Sequence, residues 1–382
     1  MKLSQFKFNL PEEQVALYPH SSERVLNRAD GTSQVFKVTR RDEARLMVVH
    51  KKSETIDMYN NKKIKGEPKE EDYIRFKDVV NYFDEGDTFI FNDTKVFPAR
   101  LYGTKEKTDA KIEVFLLREL NQEMRLWDVL VEPARKIRIG NKLFFDETGS
   151  MVAEVIDNTI NGGRTLRFLY DGSHEEFKSY LYALGEAPLP KYMERDATEE
   201  DLERFQTIYA SEEGAVIAPA AGLHFSRELL KRLEIADCRL AYLTLHNGLG
   251  NFENQDIEDL SKHKKNNEQM FIGPECCEIT RKARDEGKHI VAVGTSVLRA
   301  LETAVSTDGY VKEFDGWTNK YIYPPYPIEF VTSLITNFHM PQSLLLMNAA
   351  AVAGYQNIMN AYEVAKQEKY RFGAYGDAML IK

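Results

Sequence analysis

Four of the chain's eight histidines, His224, His246, His263 and His339, sit in short loops beside apolar runs. A neutral imidazole in such a place can accept or donate a proton near neutral pH and can hydrogen-bond a substrate. Two other chemistries compete for these residues. A metal site would combine imidazoles with Glu268 or Asp377 as a carboxylate ligand, although no two of them have the i, i+4 spacing of a helical zinc motif. A purely structural role, each ring hydrogen-bonded in the core, is the third reading. The loops themselves suit ligand binding. Ile217-Ala-Pro-Ala-Ala-Gly-Leu-His224 is made of small residues and ends beside a helix start. His246-Asn-Gly-Leu-Gly250 carries two glycines that let backbone approach a ligand, and Gly294-Thr-Ser296 leads into a helix whose free N–H groups can hold an anion.

These loops need a frame. After Pro188-Leu-Pro190 the chain alternates: an amphipathic helix at Arg227–Leu233, a strand at Arg239–Leu245, a helix at 275–286, a buried strand at His289–Val293 and a helix at Ser296–Ala304. Such alternation marks an α/β layer, in which ligands bind beyond the carboxyl ends of the strands. The three loops fall at those ends. From Thr88 to Tyr170 the texture is different. Short β-rich runs at Phe89–Phe91, Ile112–Leu117, Trp127–Val131, Lys142–Phe145, Met151–Ile156 and Thr165–Tyr170 are separated by turn signals. Antiparallel strands of that kind close into a small barrel to remove their edges. The expected fold class is therefore α/β: a mixed α/β main domain from 1–94 plus 173–382, with an antiparallel β-barrel inserted at 95–172. At the C-terminus, Tyr370-Arg-Phe-Gly-Ala-Tyr-Gly-Asp-Ala-Met-Leu-Ile381 is too aromatic to fray and must dock on the body of the protein. Upstream, Asn337, His339 and Ser343 occupy a turn between two apolar runs. Bland readings remain for two charged residues: Asp377 as a turn cap after Gly376, and Arg299 as a partner of Glu302.

Composition narrows the class. The 382 residues are 43% hydrophobic and 29% charged, ordinary for a soluble protein with room for two domains. No apolar run approaches the roughly 20 residues of a membrane helix, and the N-terminus has no signal-peptide core. Three cysteines, two of them adjacent at Cys276-Cys277, fit neither a disulfide framework nor a zinc spacing. A cytoplasmic, reduced protein is expected. A net charge of -9 argues against a generic nucleic-acid binder but leaves room for a local basic face. Lys62-Lys63-Ile-Lys65, Lys262-His-Lys264-Lys265 and Arg281-Lys-Ala-Arg284 are clusters able to meet phosphates or to sit solvated. Residues 20–40 and 57–73 read as polar insertions around a strand within Ala44–His50.

Seven segments occur in order: Asn92-Asp-Thr-Lys-Val-Phe-Pro-Ala-Arg100, Phe205-Gln-Thr-Ile-Tyr-Ala210, Ala218-Pro-Ala-Ala-Gly-Leu-His-Phe225, Thr244-Leu-His246, Ala292-Val-Gly-Thr295, Thr336-Asn-Phe-His339 and Tyr370–Met379. Together with Ala353–Tyr362 they resemble the S-adenosylmethionine:tRNA ribosyltransferase-isomerase family, from Phe6 to the C-terminus. The resemblance implies a mixed α/β domain with an inserted barrel. It also implies transfer of the ribosyl part of S-adenosylmethionine to the aminomethyl group of a tRNA 7-deazaguanine, giving epoxyqueuosine. Its implied partners are tRNA and S-adenosylmethionine, the latter a ribosyl donor, with no metal required, no membrane and a monomeric chain. On the matched positions, His224, His246, Glu268 and Asp93 are candidate acid–base residues. Ala218, Pro219, Gly222, Thr244, Gly248, Gly250, Gly294, Thr295 and Arg299 are candidates for holding S-adenosylmethionine. Asn92, Arg100, Gln206, Tyr209, Asn337, His339, Arg371 and Asp377 are candidates for the nucleoside side.

The match departs from the family pattern inside its own motifs. The family has Thr at Ala220, Gly-Thr-Phe at Gly250-Asn251-Phe252, a second His at Asn266 and Phe-Ser at Gly373-Ala374. It has Thr at Ser296 and Gly at Pro325. Loss of a hydroxyl and an imidazole bears on substrate identity. The alternatives are a divergent paralogue acting on another nucleoside and a non-catalytic RNA-binding protein.

Overall fold

A computed structural model describes the chain apart from residues 28–32, 39, 61–66, 160–162, 249–256 and 264, and apart from the side chains of 22–27 and 33–38. Two compact units are present. The first comprises Met1–Thr94, Thr207–Glu212 and Ala218–Lys382, the second Lys95–Gln206 and Glu213–Ile217.

In the first unit β1 (Ser22–Asn27) and β2 (Ser33–Val38) pair as an antiparallel hairpin within the first polar insertion. β3 (Leu46–Val49), β4 (Ile56–Asp57) and β5 (Thr88–Asn92) join the main sheet, and β6 (Thr94–Val96) pairs separately with a later strand. The second unit holds the barrel strands β7 (Arg100–Lys105), β8 (Lys111–Asn121), β9 (Leu126–Glu132), β10 (Lys142–Phe144), β11 (Val152–Asn158) and β12 (Gly163–Leu169). Helices α1 (His174–Leu184) and α2 (Glu199–Arg204) follow, and then β13 (Glu212–Ala215), the partner of β6. The chain continues through α3 (Arg227–Ile235), β14 (Arg239–Leu245), β15 (Glu268–Ile272), α4 (Pro274–Asp285), β16 (Ile290–Val293) and α5 (Thr295–Ala304). It ends with β17 (Phe314–Thr318), β18 (Ser333–Asn337), α6 (Leu344–Ala353), α7 (Tyr355–Gln367) and β19 (Ala378–Ile381).

Nine strands form the main sheet in the order β17-β15-β14-β5-β16-β18-β19-β3-β4. Its centre, β14-β5-β16-β18, is parallel. Parallel strands covered on both faces are apolar at every position, and β5, β16 and β18 are buried throughout. Alternate residues serve two cores. Phe89, Phe91, Val291, Val293 and Ile335 face one side with Leu229 and Leu233 of α3. Ile90, Ala292 and Leu334 face the other with Val297 and Leu301 of α5 and Ala350 of α6. Leu229 and Leu233 are four apart, on one face of an α3 whose N-cap Ser226 accepts from Leu229 N–H at 3.0 Å.

The docking of the C-terminal segment is explicit. β19 lies between β18, to which it is antiparallel, and β3, to which it is parallel, and all four of its residues are buried.

The barrel closes in the order β10-β11-β12-β9-β8-β7. Its interior is filled by alternating positions such as Trp127, Val129 and Val131 of β9. Two details differ from the sequence expectation. Phe89–Phe91 belongs to β5 of the main sheet, and the sixth barrel strand is β7, whose Arg-Leu-Tyr-Gly-Thr-Lys has only two buried residues at its start. The compact unit also runs past 172, because α1, α2 and Glu213–Ile217 cluster with the barrel.

Candidate active site

The parallel strands run β5, β14, β16, β18 in chain order but lie as β14-β5-β16-β18, so the winding reverses between β5 and β16. Beyond the carboxyl ends of strands, such a reversal opens a crevice. Asn92, the last residue of β5, is fully buried there and binds in both directions. Its Nδ2 donates to the Leu245 carbonyl at 2.9 Å and its Oδ1 accepts from Leu245 N–H at 3.0 Å, continuing the ladder with β14 through a side chain. Nδ2 also reaches Ser296 Oγ in the first turn of α5 at 3.2 Å. One amide thus ties the ends of β5 and β14 to the start of α5. The family's Thr at Ser296 would supply the same hydroxyl, so that departure is conservative here.

The residues flanking this amide carry the titratable groups. Asp93 accepts from Thr244 Oγ1 at 2.7 Å, and Thr94 Oγ1 meets His246 Nδ1 at 2.7 Å. Burial raises the Asp93 carboxyl above its ordinary value, opposed by the Thr244 hydrogen bond. Burial also lowers His246, opposed by the charge of Glu212, and so favours its neutral form. When Thr94 Oγ1 donates to the Glu212 carbonyl 3.4 Å away, His246 Nδ1–H donates to Thr94 and Nε2 is left as the basic nitrogen.

Next to them the loop through Ala218, Pro219 and Gly222 ends in a 3-10 turn, Ala220–His224. His224 is 4% exposed and its ring lies 4.9 Å from that of Phe76. A Cβ on Gly294 would meet Ala221 Cβ at 3.8 Å, which brings this turn over the β16–α5 junction where Gly294 and Thr295 sit. Gly222 has a separate reason to lack a side chain. A Cβ there would stand 2.1 Å from Tyr209 Oη and 2.9 Å from Thr207. The Tyr209 hydroxyl is buried with no hydrogen-bond partner among the described residues, and burial holds its pKa well above the ordinary value.

Glu268 is engaged elsewhere. It is 4% exposed, accepts from Gly248 N–H at 2.9 Å, and pairs with Arg299 and with Lys265 Nζ at 3.5 Å. Burial alone would raise its carboxyl, but Arg299 and Lys265 hold it below the usual range. It is an ionised anchor and a poor proton acceptor. Arg299 also donates from Nε to the Lys320 carbonyl at 3.0 Å, so its fork is committed to protein groups. Lys265, whose cluster the sequence left able to meet phosphates or to sit solvated, is buried in this network. Gly250 and Asn251 lie outside the described residues.

The C-terminal candidates form a second knot. Asp377 accepts from Arg45 N–H and Arg371 N–H, both at 2.8 Å, and Asp377 N–H returns to the Arg371 carbonyl at 2.8 Å. Arg371 sends Nη2 to the Tyr18 carbonyl at 2.5 Å. His339 Nε2 meets Thr336 Oγ1 at 2.7 Å, and burial takes its pKa down to about 3. This is a neutral, structural imidazole. Asn337, at the end of β18, donates to the Gly373 and Ala374 carbonyls at 3.0 and 3.2 Å, while its Oδ1 is buried and has no partner in the chain. Arg100 and Gln206 belong to the second unit. Arg100 donates to the Leu189 carbonyl at 2.9 Å, and Gln206 clamps Val96 with bonds of 3.1 and 2.9 Å. His263 packs edge-on against Tyr321 at 5.0 Å. Among the described residues, no three His, Cys, Asp or Glu side chains are gathered to hold a metal ion. Thr94 and Ser296 were missed as site residues: their importance lies in what faces them across strands distant in sequence.

Comparisons with known proteins identify the family. A model of a family described as "Queuosine biosynthesis protein" matches residues 3–381. The S-adenosylmethionine:tRNA ribosyltransferase-isomerase of Parabacteroides distasonis is 61% identical over 381 residues, covering 100% of both chains. The proteins of the same name from Flavobacterium psychrophilum and Chloroherpeton thalassium are 54% and 44% identical, again over 100% of both chains. The chain belongs to the S-adenosylmethionine:tRNA ribosyltransferase-isomerase family. A solved member of the family, S-adenosylmethionine tRNA ribosyltransferase from Thermotoga maritima, is 30% identical with a TM-score of 0.51, over 99% of this chain and 100% of that one. The barrel and mixed sheet of this chain are thus similar in fold to that ribosyltransferase. Among the described residues no helix is long and apolar enough to cross a membrane.

Proposed function

We propose that the crevice between β5, β14 and β16 binds S-adenosylmethionine and transfers its ribosyl part to the aminomethyl amine of a tRNA 7-deazaguanine, giving epoxyqueuosine. The observation that carries the reading is the Asn92 amide, which draws Asp93, His246 and the start of α5 to one point of the sheet. A base removes a proton from the carbon beside the sulfonium, whose positive charge acidifies it. The amine nitrogen bonds to the ribosyl carbon skeleton as it rearranges to the epoxycyclopentanediol. Sulfur keeps the electrons of its broken bond and leaves as neutral methionine, and adenine leaves with the proton first removed. The amine's own proton goes to solvent.

Asp93 and His246 are the base and the proton donor. Burial brings their proton affinities closer, so a proton can pass between reacting groups at small cost. The N-terminal turn of α5, with Thr295 and Ser296, suits the methionine carboxylate. The Tyr209 hydroxyl and Asn337 Oδ1 are buried groups that lack a partner and that a bound nucleoside or adenine can satisfy. Glu268 and Arg299 hold the walls, and the Asp377 knot braces the sheet. The test is incubation with S-adenosylmethionine and tRNA carrying the aminomethyl-deazaguanine, followed by nucleoside mass spectrometry. Epoxyqueuosine together with released adenine and methionine is the expected result. Adenine release with a different modified nucleoside would assign the chain to another substrate.

A further inference from the structure

Because the barrel is antiparallel throughout, the loops β7–β8, β9–β10 and β11–β12 all open at one mouth. That mouth is basic. Lys105, Lys107 and Lys111 come from the first loop and its strand ends, and Arg135, Lys136 and Arg138 from the second. Lys142 at the start of β10 adds to them. All but the half-buried Lys105 are exposed. Backbone bonds hold the loops together: Lys105 Nζ donates to the Lys136 carbonyl at 2.9 Å, and Glu106 N–H to the Lys142 carbonyl at 3.0 Å. From beneath, the buried Arg164 donates to the Ala134 carbonyl at 2.6 Å and to the Ile137 carbonyl at 2.7 and 3.0 Å, fixing the shape of the second loop. At its tip Ile139 is 54% exposed, and a side chain on Gly140 would meet nothing within 4 Å.

Among the described residues of this unit, the ion pairs Arg100–Glu113, Arg167–Glu154, His174–Glu119, Lys178–Glu213, Lys191–Glu132 and Arg195–Asp201 involve none of these cations. Carboxylates at this mouth are Glu106, Asp109, Glu132 and Asp157, and Glu132 is already paired with Lys191 at 3.1 Å. The opposite mouth is mainly acidic, with Glu123, Asp146, Glu147 and Asp171 against Arg125 in and after its loops. In a chain of net charge -9, this separation concentrates positive potential at one mouth of the barrel.

We propose that the basic mouth of the barrel grips the phosphodiester backbone of the tRNA substrate. The inference rests on tRNA being the substrate, as argued above. Lysine and arginine contacts to phosphates give affinity without reading sequence, and each contact steepens the fall of affinity with salt by about 0.7–0.9 in log–log slope. The mouth therefore supplies affinity for the tRNA body, and the sheet crevice supplies the chemistry.

The experiment compares the full-length protein with a K107Q/K111Q/R135Q/R138Q variant and with an E123Q/E147Q variant of the opposite mouth. Binding of precursor tRNA is measured across a salt series, and turnover in the same buffer. In the first variant the salt slope should flatten by roughly 2–3, KM for tRNA should rise on the order of tenfold or more, and kcat at saturating tRNA and binding of S-adenosylmethionine should hold. The second variant should bind like wild type. A four-site variant with wild-type slope and KM overturns the proposal while leaving the enzyme's function intact. A wild-type protein that neither binds nor modifies tRNA overturns the function and this surface together.

Discussion

Asp93 and His246 are moved in opposite directions by one cause. Withdrawal from water penalises charge, so the carboxyl rises from 3.8 and the imidazole falls from 6.5. If Asp93 is the base, kcat should climb as pH rises through a pKa above 3.8, and if His246 is the base, through one below 6.5, as a pH–rate profile will show. Asp93→Asn should lower kcat by about 10²–10⁴-fold, the usual worth of a general acid or base. Near-normal turnover of that variant at saturating substrate would remove Asp93 from the mechanism. Tyr209 separates function from stability. Its hydroxyl is buried without a partner among the described residues, so Tyr209→Phe should leave folding stability unchanged or raise it by about 1 kcal/mol. The same change should raise KM for a substrate that bonds the hydroxyl. Gly222→Ala should destabilise the protein by about 1–3 kcal/mol through overpacking against that hydroxyl. In the double variant with Tyr209→Phe, denaturant titration should show part of the loss restored.

At the scale of elements, the Glu268 network joins β15, α5 and the turn at Gly248. Glu268→Gln leaves two buried cations without their anion and should cost about 3–5 kcal/mol, read as a lower urea midpoint. The pH dependence has a definite sign. The folded carboxyl lies below its unfolded value of 4.5, so its contribution is complete above that pH and is lost as pH falls through the lower, folded value. Wild type should lose stability in that acidic window, and the Gln variant should lose less. The same elements show what sequence can disclose. β16 was legible because a parallel strand covered on both faces is apolar without interruption, and β14 because its run of Leu, Ala, Tyr and Leu is bounded by turn signals. Their loops were legible because glycine and histidine at strand ends have few other uses. β7 was not, since its outer half is polar and faces solvent. Neither a phosphate contact nor a solvated side chain was the outcome for Lys265, because its burial beside Glu268 is set by the fold. Gly373 has φ of 95°, a backbone region that glycine occupies readily.

For the molecule as a whole, β19 is the structural keystone of the first unit. Deleting Ala378–Lys382 would remove the strand that links β18 to β3 and expose the cores on both faces of the sheet. The truncated chain should fail to give soluble protein with a cooperative melting transition, whereas loss of five residues from an ordinary frayed terminus would pass unnoticed. The same placement orders events during synthesis. While a ribosome is still reading Ala378–Ile381, the main sheet lacks the strand that lies between β18 and β3. The barrel's strands, all encoded within the first half of the chain, have emerged long before. A messenger cut short before Ala378 therefore yields a chain whose barrel strands are all present and whose main sheet lacks β19.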